Sequence, residues 1–282
     1  MNAPTLSERI TRGALIAAAL FSVCLFLVLP LVSVFVQAFA QGWHLYLQAV
    51  RSSDVLSALK LTLLVTAMAV PLNVIFGIAA SWAITRFDFY GKHILITLID
   101  IPLAVSPVVA GLMYIEVFGR NGWMGPWLDA HNLHIIFAIP GIVLATIFVT
   151  FPFVARELIP FMQAQGSDEE EAAVVLGASP LAIFWRITLP NIKWALLYGS
   201  ILAASRAIGE FGAVSVLSGH IRGRTTTLPL EVEMAYNEYN FTAAFAAASL
   251  LTFAAIITLT VKKIIEATSG VHTRAPREKD PA

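Results

Sequence analysis

The chain has little of what a soluble enzyme carries. Charged residues make up 13% of its 282 residues, about half the ~25% of an ordinary soluble domain. Cys24 is the single cysteine, which excludes an intramolecular disulfide and a thiolate metal site. Its place in an apolar run reads as a small packing residue. No Gly-x-x-x-x-Gly-Lys-Ser/Thr loop is present to cradle phosphates, so ATP hydrolysis has no apparatus here. No His-Glu-x-x-His occurs either, and His134, His220 and His272 lie scattered without ligand spacing. The net charge is zero and no basic cluster points to nucleic acid. Neither cofactor nor metal is expected on this chain.

What it has in abundance is apolar sequence. Hydrophobic residues reach 58% and the mean hydropathy is +0.78, values of an integral membrane protein. Roughly 20 apolar residues cross a hydrocarbon core, and six such stretches stand out, at about 14–36, 58–85, 94–118, 134–153, 193–217 and 241–265. The expected class is therefore all-α integral membrane, with one transmembrane domain over 1–265 and a polar tail over 266–282. The first run exceeds the 7 to 15 residues, roughly, of a signal-peptide core, although Ala38-Phe39-Ala40 leaves cleavage as the alternative. Asn73, Gly77 and Ser81 recur every four residues and predict close approach of a neighbouring helix. With the N-terminus in the cytoplasm, twelve basic residues flank the spans inside and five outside. The positive-inside rule favours that orientation, which also places the C-terminus inside.

One stretch, 167–190, stops behaving like membrane. Ser167 with Glu170 predicts a capping box, and Asp168, Glu169 and Glu171 put negative charge where a helix N-terminus favours it. Gly177 is expected to end this helix, Ser179 and Pro180 to start a second, and Pro190 to close it, because proline disfavours the α region at Leu189. Ala172, Ala173, Val174, Val175 and Leu176, then Leu181, Ile183, Phe184 and Trp185, are too apolar for a solvated loop. They suit a groove on another protein or, alternatively, the membrane interface.

Inside the membrane, Arg206 and Glu210 are the sharpest signal. An arginine at a helix midpoint costs about 2.5–3.5 kcal/mol and should face the bundle or water. Gly199, Ala203 and Ala207 make a small-residue stripe beside it. Either the pair lines a substrate pathway or it neutralises itself across one turn. Asp100 could pair with Arg206 or a cation, or reach back to Lys92 or His93. The stretch 218–227, with Arg222, Arg224, hydroxyls and glycines, suits an oxyanion; a solvated turn that meets another protein is the alternative. Residues 228–240 are read as a short helix or re-entrant segment.

Glu171-Ala172-Ala173, Gly177, Ile187, Leu189 and Pro190 stand at the spacing of the EAA loop and resemble that of ABC importer permeases. The resemblance implies a type I ABC importer permease fold, with this loop as the coupling helix that docks on a separate ATPase dimer carrying ATP and Mg. Arg206-Ala207-Ile208-Gly209-Glu210-Phe211-Gly212-Ala213, with 218–227 and Leu228-Pro229-Leu230, resembles sulfate and molybdate permeases. Ser218-Gly219-His220-Ile221-Arg222-Gly223, Tyr236-Asn237-Glu238-Tyr239-Asn240 and 100–111 resemble the W-type permease subunits of sulfate/thiosulfate importers. These imply a second, homologous permease subunit, a periplasmic sulfate/thiosulfate-binding protein and a bacterial inner membrane with its lipid. Molybdate or another oxyanion is the alternative cargo, and a channel or secondary carrier the alternative mechanism.

Overall fold

The computed structural model describes residues 6–269, which are helical with short connections. In chain order the helices are α1 (Leu6–Val23), a π segment (Cys24–Val28), α2 (Leu29–Phe39), α3 (Trp43–Val50), α4 (Ser53–Arg86), α5 (Lys92–Ala104), α6 (Pro107–Phe118) and α7 (Gly125–Ala130). There follow α8 (Ile139–Gln165), α9 (Asp168–Val175), α10 (Pro180–Ile183), a second π segment (Phe184–Thr188), α11 (Leu189–Ile208), α12 (Gly212–Leu217), α13 (Leu228–Asn237) and α14 (Phe241–Ser269).

Four stretches are long and apolar enough to cross a membrane, Thr11–Phe39, Ser53–Arg86, Ile139–Gln165 and Phe241–Ala267. A fifth is bent: α5 and α6 meet at 110°. This corrects the expectation of one span over 94–118. Pro107 opens α6 and holds Ser106 extended at φ −58°, ψ 133°, so the helix cannot run through. The fifth expected span, 193–217, is also interrupted. Helix α11 stops at Ile208, and Phe211 at φ −124° separates it from α12. Asn191, Lys193 and Arg206 make α11 more polar than its neighbours, so packing inside the bundle must hold it there. The fourth span outruns its expected end at 153 and reaches Gln165, where Gly166 at φ +77° stops it. The last helix likewise passes 265 to Ser269; the rest of the expected tail, 270–282, lies outside the described residues.

The core is organised on α8. Val154 wedges between two glycines: a Cβ on Gly77 of α4 would lie 2.5 Å from Val154 Cγ1, and one on Gly199 of α11 would lie 3.1 Å from Val154 Cα. Both expected small-residue stripes thus face the same helix. Polar groups buried along the contact bond across it, although Asn73 Oδ1 has no partner among the described residues. Asn73 Nδ2 donates to Thr150 Oγ1 at 2.6 Å and Ser81 Oγ to the Ala155 carbonyl at 3.5 Å. At one end, Tyr46 of α3 reaches α14, its hydroxyl 3.1 Å from Ser249 Oγ. The outward faces keep large apolar side chains exposed, Phe26 at 77% among them, as lipid would require.

Candidate functional site

At one end of the bundle, α4, α8 and α11 converge under the stretch 167–190. Gly177 ends α9 at φ +82° as expected. The Ala178 amide donates to the Ala173 carbonyl and that of Gly177 to Val174, the paired bonds of a Schellman cap. Ser179 caps the following helix through the Ala182 amide at 3.4 Å. Two other expectations fail. The capping box does not form: Ser167 makes no capping bond to the helix amides, and its hydroxyl donates to Glu171 Oε1 instead. Nor does Pro190 close a helix, because the chain stays helical from Pro180 to Ile208 with Leu189 at φ −64°, ψ −44°. The π segment Phe184–Thr188 is the reason. Its wider turn leaves room for the proline ring and uses the position where Pro190 offers no N–H.

Glu170, released from capping, has another partner. Arg86, the last residue of α4, donates through Nε to Glu170 Oε2 at 2.7 Å and through Nη2 to Oε1 at 3.3 Å. The same guanidinium reaches the Met162 carbonyl of α8 at 3.3 Å. Thr188, at the end of the π segment, donates to Glu170 Oε1 at 2.8 Å. A second tie joins Asn191 Nδ2 to Glu169 Oε2 at 2.6 Å. Trp82 of α4 stacks on Phe184 with ring centroids 5.2 Å apart. Against this anchored underside, the outer face is bare. Val174, Val175, Leu176, Leu181 and Trp185 are each at least 60% exposed. Glu171, Ala172 and Pro190 are exposed as well, with Ala173, Ile187 and Leu189 half-buried.

In the bundle, Arg206 Nη1 meets Glu210 Oε2 at 2.6 Å, with Glu210 almost wholly buried and Arg206 a third exposed. Glu210 Oε1 also accepts the Ala213 amide at 2.9 Å, so it caps α12 across the break. The ion pair is thus also a structural joint. Asp100 does not pair with Arg206, Lys92 or His93 among the described residues. It faces Arg156 of α8 at 3.7 Å, and Lys92 takes Asp88 at 2.9 Å.

The far end carries the stretch 218–227, and here the donors are spent internally. Ser218 Oγ donates to the Thr225 carbonyl at 2.6 Å, and the Ile221 amide to Thr225 Oγ1 at 3.2 Å. Arg222 faces Glu231 at 3.2 Å, Glu238 at 2.8 Å and Asp54 at 3.9 Å. Three carboxylates around one guanidinium leave the site net negative. Arg222 therefore offers no free fork to an oxyanion in this arrangement. The Glu238 hydrogen bond, first among several, holds Arg222 more firmly protonated than usual. Burial pushes the Glu231 carboxyl up against the pull of Arg222, while Arg222 pulls Glu238 down. Arg224 is exposed and shows no ion pair among the described residues. Residues 228–240 do contain a short helix, α13.

Among the described residues, no group of three or more His, Cys, Asp and Glu side chains is placed to hold a metal. Sequence reasoning missed the joint of Arg86, Glu170 and Thr188. The one hint was a lone arginine closing a long apolar run, while the local pattern assigns Glu170 to Ser167.

Comparisons with known proteins identify the family and the fold. The family described as "Binding-protein-dependent transport system inner membrane component" matches residues 48–268. The sulfate transport system permease protein CysW of Escherichia coli (strain K12) is 55% identical over 240 residues, which is 85% of this chain and 82% of the relative. The CysT permease of the same strain is 34% identical over 255 residues, 90% of this chain and 92% of the relative. A bacterial alginate ABC transporter, crystallised with its alginate-bound periplasmic protein, superposes with TM-score 0.74 at 18% identity, over 94% of this chain and 96% of that one. The last likeness speaks to fold alone. The chain belongs to the family of binding-protein-dependent transport system inner membrane components, with the all-helical fold of an ABC importer permease.

Proposed function

We propose that this protein is the W-type permease subunit of an ATP-driven sulfate/thiosulfate importer in a bacterial inner membrane. It pairs there with a homologous T-type subunit, takes cargo from a periplasmic binding protein and is driven by a separate ATPase dimer. The observation that carries this reading is the exposed apolar face of 167–190, anchored underneath by Arg86 and Asn191. Such a face next to a membrane end fits a partner's groove. Glu171, Ala172, Ala173, Gly177, Ile187, Leu189 and Pro190 make up the coupling loop, and ATP and Mg belong to the partner. The similarity to CysW supports sulfate as cargo. With the N- and C-termini in the cytoplasm, the loop lies on the side where ATP is.

Energetics call for such a drive. A dianion entering against a negative interior climbs about 2.3 kcal/mol per charge per 100 mV, roughly 4.6 in all. Arg206 is the proposed pathway residue. Its guanidinium is a third exposed although its partner is buried, so one edge remains free to ease a dianion through a low-dielectric stretch. Binding there is weak, since a strong site would trap the ion.

Purification from the native membrane tests the assignment. An ATPase and a second permease should accompany the chain, and reconstituted uptake should require ATP and be competed by thiosulfate more strongly than by molybdate. ATP-independent uptake by the chain alone would identify a channel or carrier, and stronger competition by molybdate would change the cargo. Arg206→Ala should slow uptake by roughly tenfold, the loss of one partly desolvated charge contact, with ATP hydrolysis retained. Unchanged uptake would reduce Arg206 to the partner of Glu210.

A further inference from the structure

We propose that Arg86 is a positioning residue of the transport cycle, the joint through which displacement of the coupling helix reaches three helices of the bundle at once. The inference rests on the coupling reading of 167–190 and adds to it the residues that transmit the motion.

The coupling helix α9 has no buried residue of its own. It is followed by a left-handed glycine at Gly177, which fixes its direction while giving it little packing. Its attachment to the bundle is therefore polar. Glu170 provides it with both oxygens: Oε2 to Arg86 Nε at 2.7 Å, and Oε1 to Arg86 Nη2 at 3.3 Å and Thr188 Oγ1 at 2.8 Å. Arg86 adds the Met162 carbonyl at 3.3 Å. One carboxylate and one guanidinium thus tie α9 to the ends of α4, α8 and α11, the three helices packed together about Val154. Helix α11 also carries Arg206.

The joint has the stiffness a lever needs. Both charged side chains are largely buried, Arg86 at 10% and Glu170 at 15% exposure, and a forked arginine–carboxylate pair fixes angle as well as distance. Thr188 is aimed at Glu170 from the π segment. That gives the unusual turn a second consequence beyond accommodating Pro190. The Asn191–Glu169 bond is exposed and single, so it can follow a movement and cannot impose one.

The test uses the complete importer, both permeases with ATPase and binding protein, in proteoliposomes loaded with ATP, and reads ATP hydrolysed per radiolabelled sulfate imported. Glu170→Gln keeps size and removes the charge; Arg86→Lys keeps the charge and removes the fork; Thr188→Val removes one bond. Glu170→Gln should raise the ratio at least roughly fivefold, within the range of ordinary coupling energies, with normal amounts of ATPase co-purifying. Arg86→Lys should fall between Glu170→Gln and the native protein, and Thr188→Val nearest the native value. An unchanged ratio in Glu170→Gln, in a fully assembled complex, overturns the proposal. Leu176→Asp separates this from failure of the underlying reading. On the exposed face it should release the ATPase; if ATPase stays bound and coupled, the docking assignment itself is wrong, whatever Arg86 does. Glu170→Gln is the primary variant because Arg86, left with the Met162 carbonyl, still closes α4.

Discussion

Each end of the bundle is organised by an arginine, and the two serve opposite purposes. Arg86 meets a carbonyl and one carboxylate, which also accepts from Thr188, in a charge-balanced joint beside a bare apolar face. Arg222 meets three carboxylates and sits on the wall of a cavity of about 420 Å³ shared with Asp54, Glu231 and Glu238. Balanced charge with exposed apolar surface suits a contact that must form with a partner. Excess acid with the arginine consumed suits a clasp that holds α13 over the start of α4. It also discourages an anion from lingering. An arginine among glycines and hydroxyls is thus no evidence of an oxyanion site until its local carboxylates are counted.

If the two ends differ as described, changes at the coupling end should uncouple and changes at the far end should destabilise. The largest effect is expected at Gly177. Its φ of +82° is closed to proline, which is fixed near −65° and costs about 3 kcal/mol or more where it does not fit, so uptake should fall at least roughly 100-fold. Membrane insertion, read by fractionation, should be intact. Retained ATP-driven uptake would erase the distinction between the ends.

Next in size is Arg222→Ala, which leaves Glu231 buried beside Asp54 and Glu238 with no counter-charge. Breaking a fully buried pair costs about 3–5 kcal/mol, and a partly exposed arginine brings this to about 2–3. The melting temperature in detergent should drop while ATP per sulfate stays native. The pH dependence has a definite sign. Burial raises the Glu231 carboxyl above its unfolded value, so its contribution is most favourable below about 4.3, the ordinary glutamate value, and is lost as pH rises through the raised one. Glu238 is lowered by Arg222 and contributes in the opposite sense, lost as pH falls. Without Arg222 the first trend stands alone, and stability of the variant should fall more steeply with rising pH than that of the native protein. A flat or reversed profile would mean that Glu231 is not the charge being stranded.

Between the ends, Gly77→Ala probes the common core. Its Cβ would press on Val154 at 2.5 Å, and overpacking of this kind costs about 1–3 kcal/mol. Val154→Ala in the same chain should restore part of the loss. Because the contact serves both ends, thermal stability should fall with no selective change in coupling. A shifted ATP-to-sulfate ratio would show that transmission runs through Val154 as well as Arg86.

The loop 167–190 was the most legible part of the sequence because its structure is local. Gly177, Ser179 and Pro180 act on neighbours within a few residues, and each does what its backbone chemistry dictates. The six-span count was legible only in part: four of the expected stretches are long and apolar enough to cross, a fifth is a bent pair broken at Ser106, and 193–217, broken at Phe211, is not among them. What sequence could not select is decided across long separations. Local sequence assigns Glu170 to Ser167 as a capping box, and its actual partner is Arg86, 84 residues away. Arg222 reads as a free donor until α13 folds Glu231 and Glu238 back on it. Pro190 reads as a stop because a π turn has no strong sequence signature, so the geometry that absorbs the proline was invisible.

The smallest expected effect separates two serines of the same loop, and it matters because sequence treats them alike. Both precede a helix in the pattern of an N-cap. Only Ser179 makes the bond, through the Ala182 amide at 3.4 Å; Ser167 turns to Glu171. Ser179→Ala should therefore cost about 0.5–1 kcal/mol, the low end for a lost cap because the bond is long and exposed. Ser167→Ala should cost less, as the helix amides lose nothing. Hydrogen exchange at the Ala182 amide checks the first and exchange at the amides of α9 checks the second. Equal protection losses in both would mean that the capping box forms in solution. Glu170 would then be drawn back to Ser167 and away from Arg86, and the coupling end would lose the charge-balanced joint that distinguishes it from the other.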